Sequence, residues 1–475
     1  MMTLELALRN LARNGRRSLT TLAAIVVGAV AILLFGGYIR NIRYGLEMDF
    51  VRSSGHLQIQ RQDYFLYGTG NPAAYGIADY EHVMEVVRHD PVLAPLLTVV
   101  TPTLQLGGIA GNFAAGVSRT VLASGSDIDG QNALHAWNDY GIGGPPEPLA
   151  LTGTAPDAAV VGGGVARVLQ ICGVPGALRC AAPDGARLRA VDEPRSGDSM
   201  KGALPRDLAE LSAVEMPAHP ADPAHREARI ELLAATARGA PNVAGLSVTR
   251  VEDQGVKALD DVYVALHLAQ AQRLVYGADP PQVTAIIVQL HHTAQIPAAR
   301  ARLEQLLATT LKGDALEVQD FETLNPYYGQ TLAFFAAIFG FISILIGVIV
   351  LFTVGNTMGT AVLERTSEIG TLRAIGLRRA GVRRMFVCEG MLLGLAGSLA
   401  GIVAALALAA LINHGGLTWT PPGRVDAVPL RVRVWGELAP MVWVLVALTL
   451  VTVLSSWLPA RRGARINIVA ALRHA

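Results

Sequence analysis

The chain has 475 residues, of which 51% are hydrophobic and only 16% charged, and its formal net charge is +1. About a quarter of a soluble domain's residues are ordinarily charged, so the composition points to a membrane protein. A near-neutral balance excludes a dominant nucleic-acid-binding role. Arginine supplies almost all the basic charge, since Lys201, Lys257 and Lys312 are the only lysines.

In chain order, the segment 1–17 reads as a cytoplasmic amphipathic helix. Next come four apolar stretches of the length a bilayer requires, about 20 residues each. They are assigned to 18–40, 331–358, 385–412 and 437–458. The first passes into Tyr38-Ile39-Arg40 with no small-residue cleavage site, so it reads as a retained anchor rather than a signal peptide. Arg9, Arg13, Arg16 and Arg17 precede it, and Arg365, Arg373, Arg378, Arg379, Arg383 and Arg384 lie between the second and third. Arg461, Arg462, Arg465 and Arg473 fall in the tail, 459–475. The positive-inside rule then puts these three clusters in the cytoplasm. The large 41–330 segment and the short 413–436 loop are thereby placed outside, although Arg424, Arg431 and Arg433 make that loop a mild exception.

Within 41–330, strands are expected at His56–Gln60, Leu96–Leu106, Val283–Leu290 and Glu317–Phe321. A helix is expected over Pro297–Leu311, with Ala301, Leu303, Leu306 and Leu307 inward and Arg300, Arg302 and Glu304 outward. The pattern implies an α/β lobe built from both ends of the segment. The Pro-, Gly- and Ala-rich middle, about 140–245, reads as an inserted loop-rich lobe with helices at Arg206–Ser212 and Pro223–Arg238. Cys172 and Cys180 lie close together there, and an oxidising compartment would permit a disulfide. Cys388 reads as a packed thiol.

Chemical constellations are sparse. His291-His292 lacks further ligands at a metal-binding spacing and reads as a polar strand end. Asp127 and Asp129 are too few for a calcium loop, and Ser124-Gly125-Ser126 lacks the frame of a nucleophile elbow. The third apolar stretch holds two small-residue pairs, Gly390/Gly394 and Gly397/Gly401. This spacing lets helix backbones approach closely, within one chain or at a dimer seam; packing within the chain is the favoured reading. Glu389, near the cytoplasmic end of that stretch, is expected to pair with Arg383 or Arg384.

The most informative segment is the 359–384 elbow, with Glu364-Arg-Thr-Ser-Glu-Ile-Gly-Thr-Leu-Arg-Ala-Ile-Gly-Leu-Arg-Arg379 at its centre. Glu364/Glu368 and Ile369/Leu372 fall at helical spacing, and Gly376 is placed to end the helix. Such an elbow suits force transmission from a cytoplasmic partner; an interfacial helix on anionic lipid is the alternative. Glu364–Leu399 resembles the conserved segment of the FtsX-like permease family, which includes MacB, LolC and LolE. Leu6–Ser18, Pro459–Arg465 and Ala470–Arg473 resemble the family's two ends, and Gly55–Ile59 and Asp320–Gln330 resemble the Lol-type outer-domain edges.

The resemblance implies four transmembrane helices plus a large α+β periplasmic domain between the first and second, a porter-like α/β lobe with an inserted Sabre-like lobe. It implies the permease half of a type VII (mechanotransmission) ABC transporter in the bacterial inner membrane, non-catalytic itself and without a cofactor of its own. ATP and Mg would be bound by a separate ABC ATPase, since the chain contains no Gly-Lys dipeptide for a Walker motif. Glu364, Arg365, Glu368, Ile369, Leu372, Arg373 and Gly376 would form the contact with that ATPase. A second permease, identical or homologous, would complete the dimer. Release of lipoprotein or lipidic cargo from the membrane is the leading expectation. The alternatives are MacB-like export through a periplasmic adaptor and outer-membrane channel, FtsX-like signalling to a cell-wall hydrolase, and, least favoured, a membrane enzyme.

Overall fold

The computed structural model describes residues 15–142, 147–177, 228–254, 257–313, 315–420 and 427–466. In chain order its main helices are α1 (Gly15–Ser54), α2 (Tyr80–His89), α3 (Ile128–His135), α4 (Leu268–Tyr276), α5 (Ile296–Thr309), α6 (Pro326–Glu364), α7 (Thr366–Ala374), α8 (Arg379–His414) and α9 (Leu438–Gly463). Its strands are β1 (Leu57–Arg61), β2 (Leu97–Asn112), β3 (Val117–Ser126), β4 (Ala158–Gly162), β5 (Ala228–Ala235), β6 (Pro241–Glu252), β7 (Tyr263–His267), β8 (Ala285–Leu290) and β9 (Leu316–Asp320). Two-residue strands β10 (Thr418–Trp419) and β11 (Val428–Pro429) pair in the 413–436 loop. The chain divides into a helical unit, Met1–Asp49 with Asn325–Pro421 and Ala427–Ala475, and a mixed unit, Phe50–Leu324 with Pro422–Asp426.

In the helical unit, α1, α6, α8 and α9 are each long and apolar enough to cross a membrane. The first three have 40, 39 and 36 residues. At about 1.5 Å per residue each runs to more than about 50 Å, well beyond the roughly 30 Å hydrocarbon core. The expected spans therefore sit inside longer helices. The division at residue 41 is not a break in the chain's conformation, because helix hydrogen bonding continues to Ser54 and the units divide after Asp49. Residues 1–14 and 467–475, which carry most of the N-terminal helix and tail assignments, lie outside the described residues.

Among the described residues the mixed unit is built on a nine-stranded sheet in the order β3-β7-β4-β6-β5-β2-β8-β1-β9, with an additional β2–β3 pairing. That extra pairing closes six strands (β2, β3, β7, β4, β6 and β5) into a ring. β8, β1 and β9 extend from it as an open wing. β2 is the branch: Leu97–Thr103 pairs with β8, Gly108–Gly111 with β5, and Thr103–Asn112 with β3. The ring encloses Leu104, Val121, Val161, Leu232, Leu246 and Leu266, while α4 adds Ala271 and Leu274 to the same core. On the wing, α2 and α5 pack Val83, Val87, Ala299, Leu303 and Leu306 against Leu57, Ile59, Ile286, Val288 and Val318.

Several expectations change here. The described parts of the 140–245 region supply β4, β5 and part of β6 to the ring instead of standing apart from it; residues 178–227 lie outside the described residues. Ala228–Ala235, expected as helix, is a strand whose residues alternate outward and inward. Ala, Glu and Leu favour helix locally, but pairing with β2 and β6 decides the outcome. The expected Arg206–Ser212 helix lies outside the described residues. On α5, Ala299 rather than Ala301 fills the core. Arg300 and Arg302 bend back to Asp320 at 2.7 Å and Asp90 at 2.6 Å instead of standing clear in solvent.

Just after α1, Gly55 takes φ +69°, and a side chain there would collide with Ile287. His56 follows, fully buried. Its Nδ1 accepts the Leu290 amide proton at 3.0 Å, so Nε2 carries the hydrogen and donates to Thr293 Oγ1 at 3.2 Å. Its ring stands edge-on to Trp137 at 5.0 Å. Burial, aided by nearby His292, pushes the imidazole down to about 3. The unfolded chain binds a proton near pH 6.5 that the folded chain refuses, so His56 contributes stability above that pH and loses it progressively down to about 3. A His56→Asn variant should flatten that acid slope while lowering stability at neutral pH. Trp137 fluorescence during denaturation of the full chain, with the other four tryptophans replaced by Phe, measures both.

Candidate functional site: the membrane bundle and its elbow

Each of the four membrane helices meets its neighbours across small residues. A Cβ on Gly390 or Gly394 of α8 would collide with Ser456 or Thr452 of α9. One on Gly397 or Gly401 would come within 2.8 Å of Ile25 or 2.5 Å of Ala29 on α1. The two small-residue pairs thus seat two different helices of the same chain. Gly28 of α1 faces Ile346 and Val350 of α6, and Gly355 of α6 faces Ser455 of α9. Ser455 Oγ donates across to the Leu351 carbonyl of α6. Without a hydrophobic force between helices in lipid, close backbone approach and such interhelical bonds are what hold a bundle together.

At one end of this bundle the chain breaks helix at Arg365 (φ −97°, ψ 20°), runs through α7 and turns into α8. The end of α7 is a Schellman motif. The Leu377 amide bonds to the Leu372 carbonyl, the Gly376 amide bonds to the Arg373 carbonyl, and Gly376 takes φ +110°. Ile369 packs beneath the elbow with Val362, Val382, Phe386, Ala460 and Ala464. Arg373 Nη1 donates to the Ile466 carbonyl, just beyond α9.

The seven expected coupling residues therefore divide. Glu364 and Glu368 lie at the surface, Leu372 and Arg373 are half-buried, and Gly376 shapes the turn. Arg365 and Ile369 face inward, only 5% and 1% exposed, so their side chains hold the elbow instead of presenting a contact. Glu389 pairs with Arg365, at 3.5 Å, and not with Arg383 or Arg384, whose side chains are exposed. Residue-by-residue spacing could not reveal that pair, because α7 folds back between its members.

Three surface residues were not anticipated: Leu363 (72% exposed), Ile375 (81%) and Leu377. They form apolar points at both ends of α7, beside Glu364 and Glu368. Their signal was available as apolar residues off the Ile369/Leu372 stripe.

Elsewhere, His292 pairs with Asp139 at 2.7 Å and His291 Nδ1 lies 3.2 Å from Thr98 Oγ1, so both are occupied with protein partners. Asp127 caps α3 by accepting from the Gly130 amide. Cys172 is disulfide-bonded and Cys388 is a free thiol; Cys180 lies outside the described residues.

A glycine-seated bundle of four helices, each long and apolar enough to span a bilayer, with a short helical elbow, defines a membrane protein. Residues 332–468 match the FtsX-like permease C-terminal family. An uncharacterized ABC transporter permease of Methanocaldococcus jannaschii is 35% identical over 136 residues, which is 28% of this chain and 30% of the relative. The ABC transporter permease YtrF of Bacillus subtilis is 35% identical over 140 residues, again 28% and 30%. The macrolide export ATP-binding/permease protein MacB of Bordetella avium is 26% identical over 227 residues, 48% of this chain and 32% of the relative. Through this domain and these relatives the chain is similar to ABC permeases of the FtsX/MacB type. Its matching region spans about a third of the length of these relatives.

A leucine at position 401 would be driven into Ala29 and the Val26 backbone, with no flexible atom to yield. Gly401→Leu should therefore lower bundle stability by about 1–3 kcal/mol, seen as a lower unfolding temperature in detergent. Gly347→Leu, at a position with open space, should leave it unchanged.

Proposed function

We propose that this chain is the membrane subunit of an ABC transporter in which a separate ATPase, binding ATP and Mg, docks on the elbow. Movement there is passed along the helices to the mixed unit, which works on the extracytoplasmic side of the bacterial inner membrane. The observation that carries the reading is the set of exposed apolar residues Leu363, Ile375 and Leu377 flanking the two ends of α7, a helix that carries Glu368 at its surface and is anchored from beneath by Ile369. The anchoring makes the elbow a rigid element and the apolar points give a partner something to grip. Arginines of the elbow and of the end of α9 support a cytoplasmic placement by the positive-inside rule.

For cargo, the names of relatives favour outward export: MacB is named for macrolide export and PvdT of Pseudomonas syringae pv. tomato for pyoverdine export. On this reading a periplasmic adaptor and an outer-membrane channel are the further partners, and a second permease completes the dimer. Release of lipoprotein or lipidic cargo is the second reading, favoured by the Lol-like Gly55–Ile59 and Asp320–Gln330 segments.

Aspartates at Ile375 and Leu377 add charge at the exposed end of α7. The Ile375→Asp/Leu377→Asp variant should insert normally, yet reduce ATPase co-purification by about tenfold or more, the loss of one to two apolar anchors. Quantitative mass spectrometry of the tagged chain from native membranes measures this. Undiminished ATPase recovery would remove the elbow patch from the interface.

A further inference from the structure

We infer that Arg365 and Glu389 form a buried charge lock that fixes the angle between the elbow helix α7 and the membrane helix α8. Arg365 is the residue at which the chain leaves α6 and enters α7. Its amide makes the last α6 bond to Ala361, its carbonyl accepts the first α7 bond from Ile369, and its own dihedrals are helical in neither sense. A joint of that kind bends easily unless something outside it holds it. The side chain does so by reaching α8, where Nη1 lies 3.5 Å from Glu389 Oε1. The two side chains are 6% and 5% exposed.

The environment makes the pair consequential. One helical turn from Arg365 and from Glu389 along their own segments lie the buried apolar residues Val362, Ile369, Met385 and Phe386, and burial keeps water from the pair. An ion pair out of water is a poor source of net stability, but losing Arg365 strands the Glu389 carboxylate, and losing Glu389 removes the tie from the joint to α8. In this orientation the two buried charges meet, and departing from it separates them. The second tie, from Arg373 to the carbonyl of Ile466, holds the other end of α7 to the end of α9. Between them the two arginines make α7 a bar fastened at each end. A push on α7 then turns α8 and α9 instead of flexing the joint at Arg365. Arg365 and Glu389 act here as positioning residues.

The proposal rests on the functional reading only for what the bar transmits, and its test uses no ATPase. The full chain in lipid nanodiscs is followed by hydrogen exchange at residues 366–376, with residues 444–456 of α9 as internal reference. Arg365→Gln and Glu389→Gln should each raise exchange in 366–376 by about tenfold or more, the range of directly coupled residues, and leave the reference unchanged. The double variant should exchange no faster than the worse single one. Unchanged exchange in both single variants would overturn the lock. So would an equal rise in the reference segment, or a double variant whose effect is the product of the two singles. Should a single variant fail to fold, the double variant decides: a folded double supports a stranded charge as the cause, and an unfolded double overturns it. A lock that fails this test leaves ATPase docking untouched, and loss of docking leaves the exchange result standing.

Discussion

How near α8 can come to its neighbours sets the rest of the membrane unit. Four glycines on this helix meet two partners, α9 through Gly390 and Gly394, and α1 through Gly397 and Gly401. In lipid the apolar surfaces of helices gain nothing by leaving the solvent, so association depends on contact distance and on the polar groups that contact brings into reach. Ser398, Thr452 and Ser456 are fully buried at these seams and satisfy their hydroxyls on helix carbonyls. With α8 so placed, its third turn brings Glu389 to Arg365, and the elbow acquires its orientation. The packing and the candidate coupling site are therefore one construction.

The mixed unit obeys a different constraint, that of sheet edges. Six strands close on themselves, which removes the open edges that would otherwise recruit other chains. β2 is long enough to serve both ring and wing, at 16 residues. Its partner changes along its length, which joins two hydrophobic cores through one strand. Ion pairs finish the wing. Arg302 grips Asp90 through both carboxylate oxygens, and those hydrogen bonds, with amide donors from Leu93 and Val92, hold the carboxyl below its ordinary range.

The sequence made much of this legible where a single element reports on itself. Long apolar runs disclosed the four spanning helices, β-branched Ala-Ile-Ile-Val disclosed β8, and Gly376 marked a helix end that the structure closes as a Schellman motif. What stayed hidden depends on partners distant in the chain. β5 carries helix-favouring residues and becomes a strand because β2 and β6 flank it. Arg365 looks like a surface charge until α8 brings Glu389 beside it. Ala158-Ala-Val-Val-Gly162 is too small and plain to separate strand from loop without its neighbours β6 and β7.

Everything proposed for the elbow depends on an ATPase gripping it. A photo-crosslinking amino acid placed at Ile375 in the full chain, irradiated in cells, addresses it directly. The expected result is a specific adduct identified by mass spectrometry as an ABC ATPase, lost when the crosslinker is moved to the buried position 369. An elbow that crosslinks only to lipid, or to no ATPase at all, would contradict it.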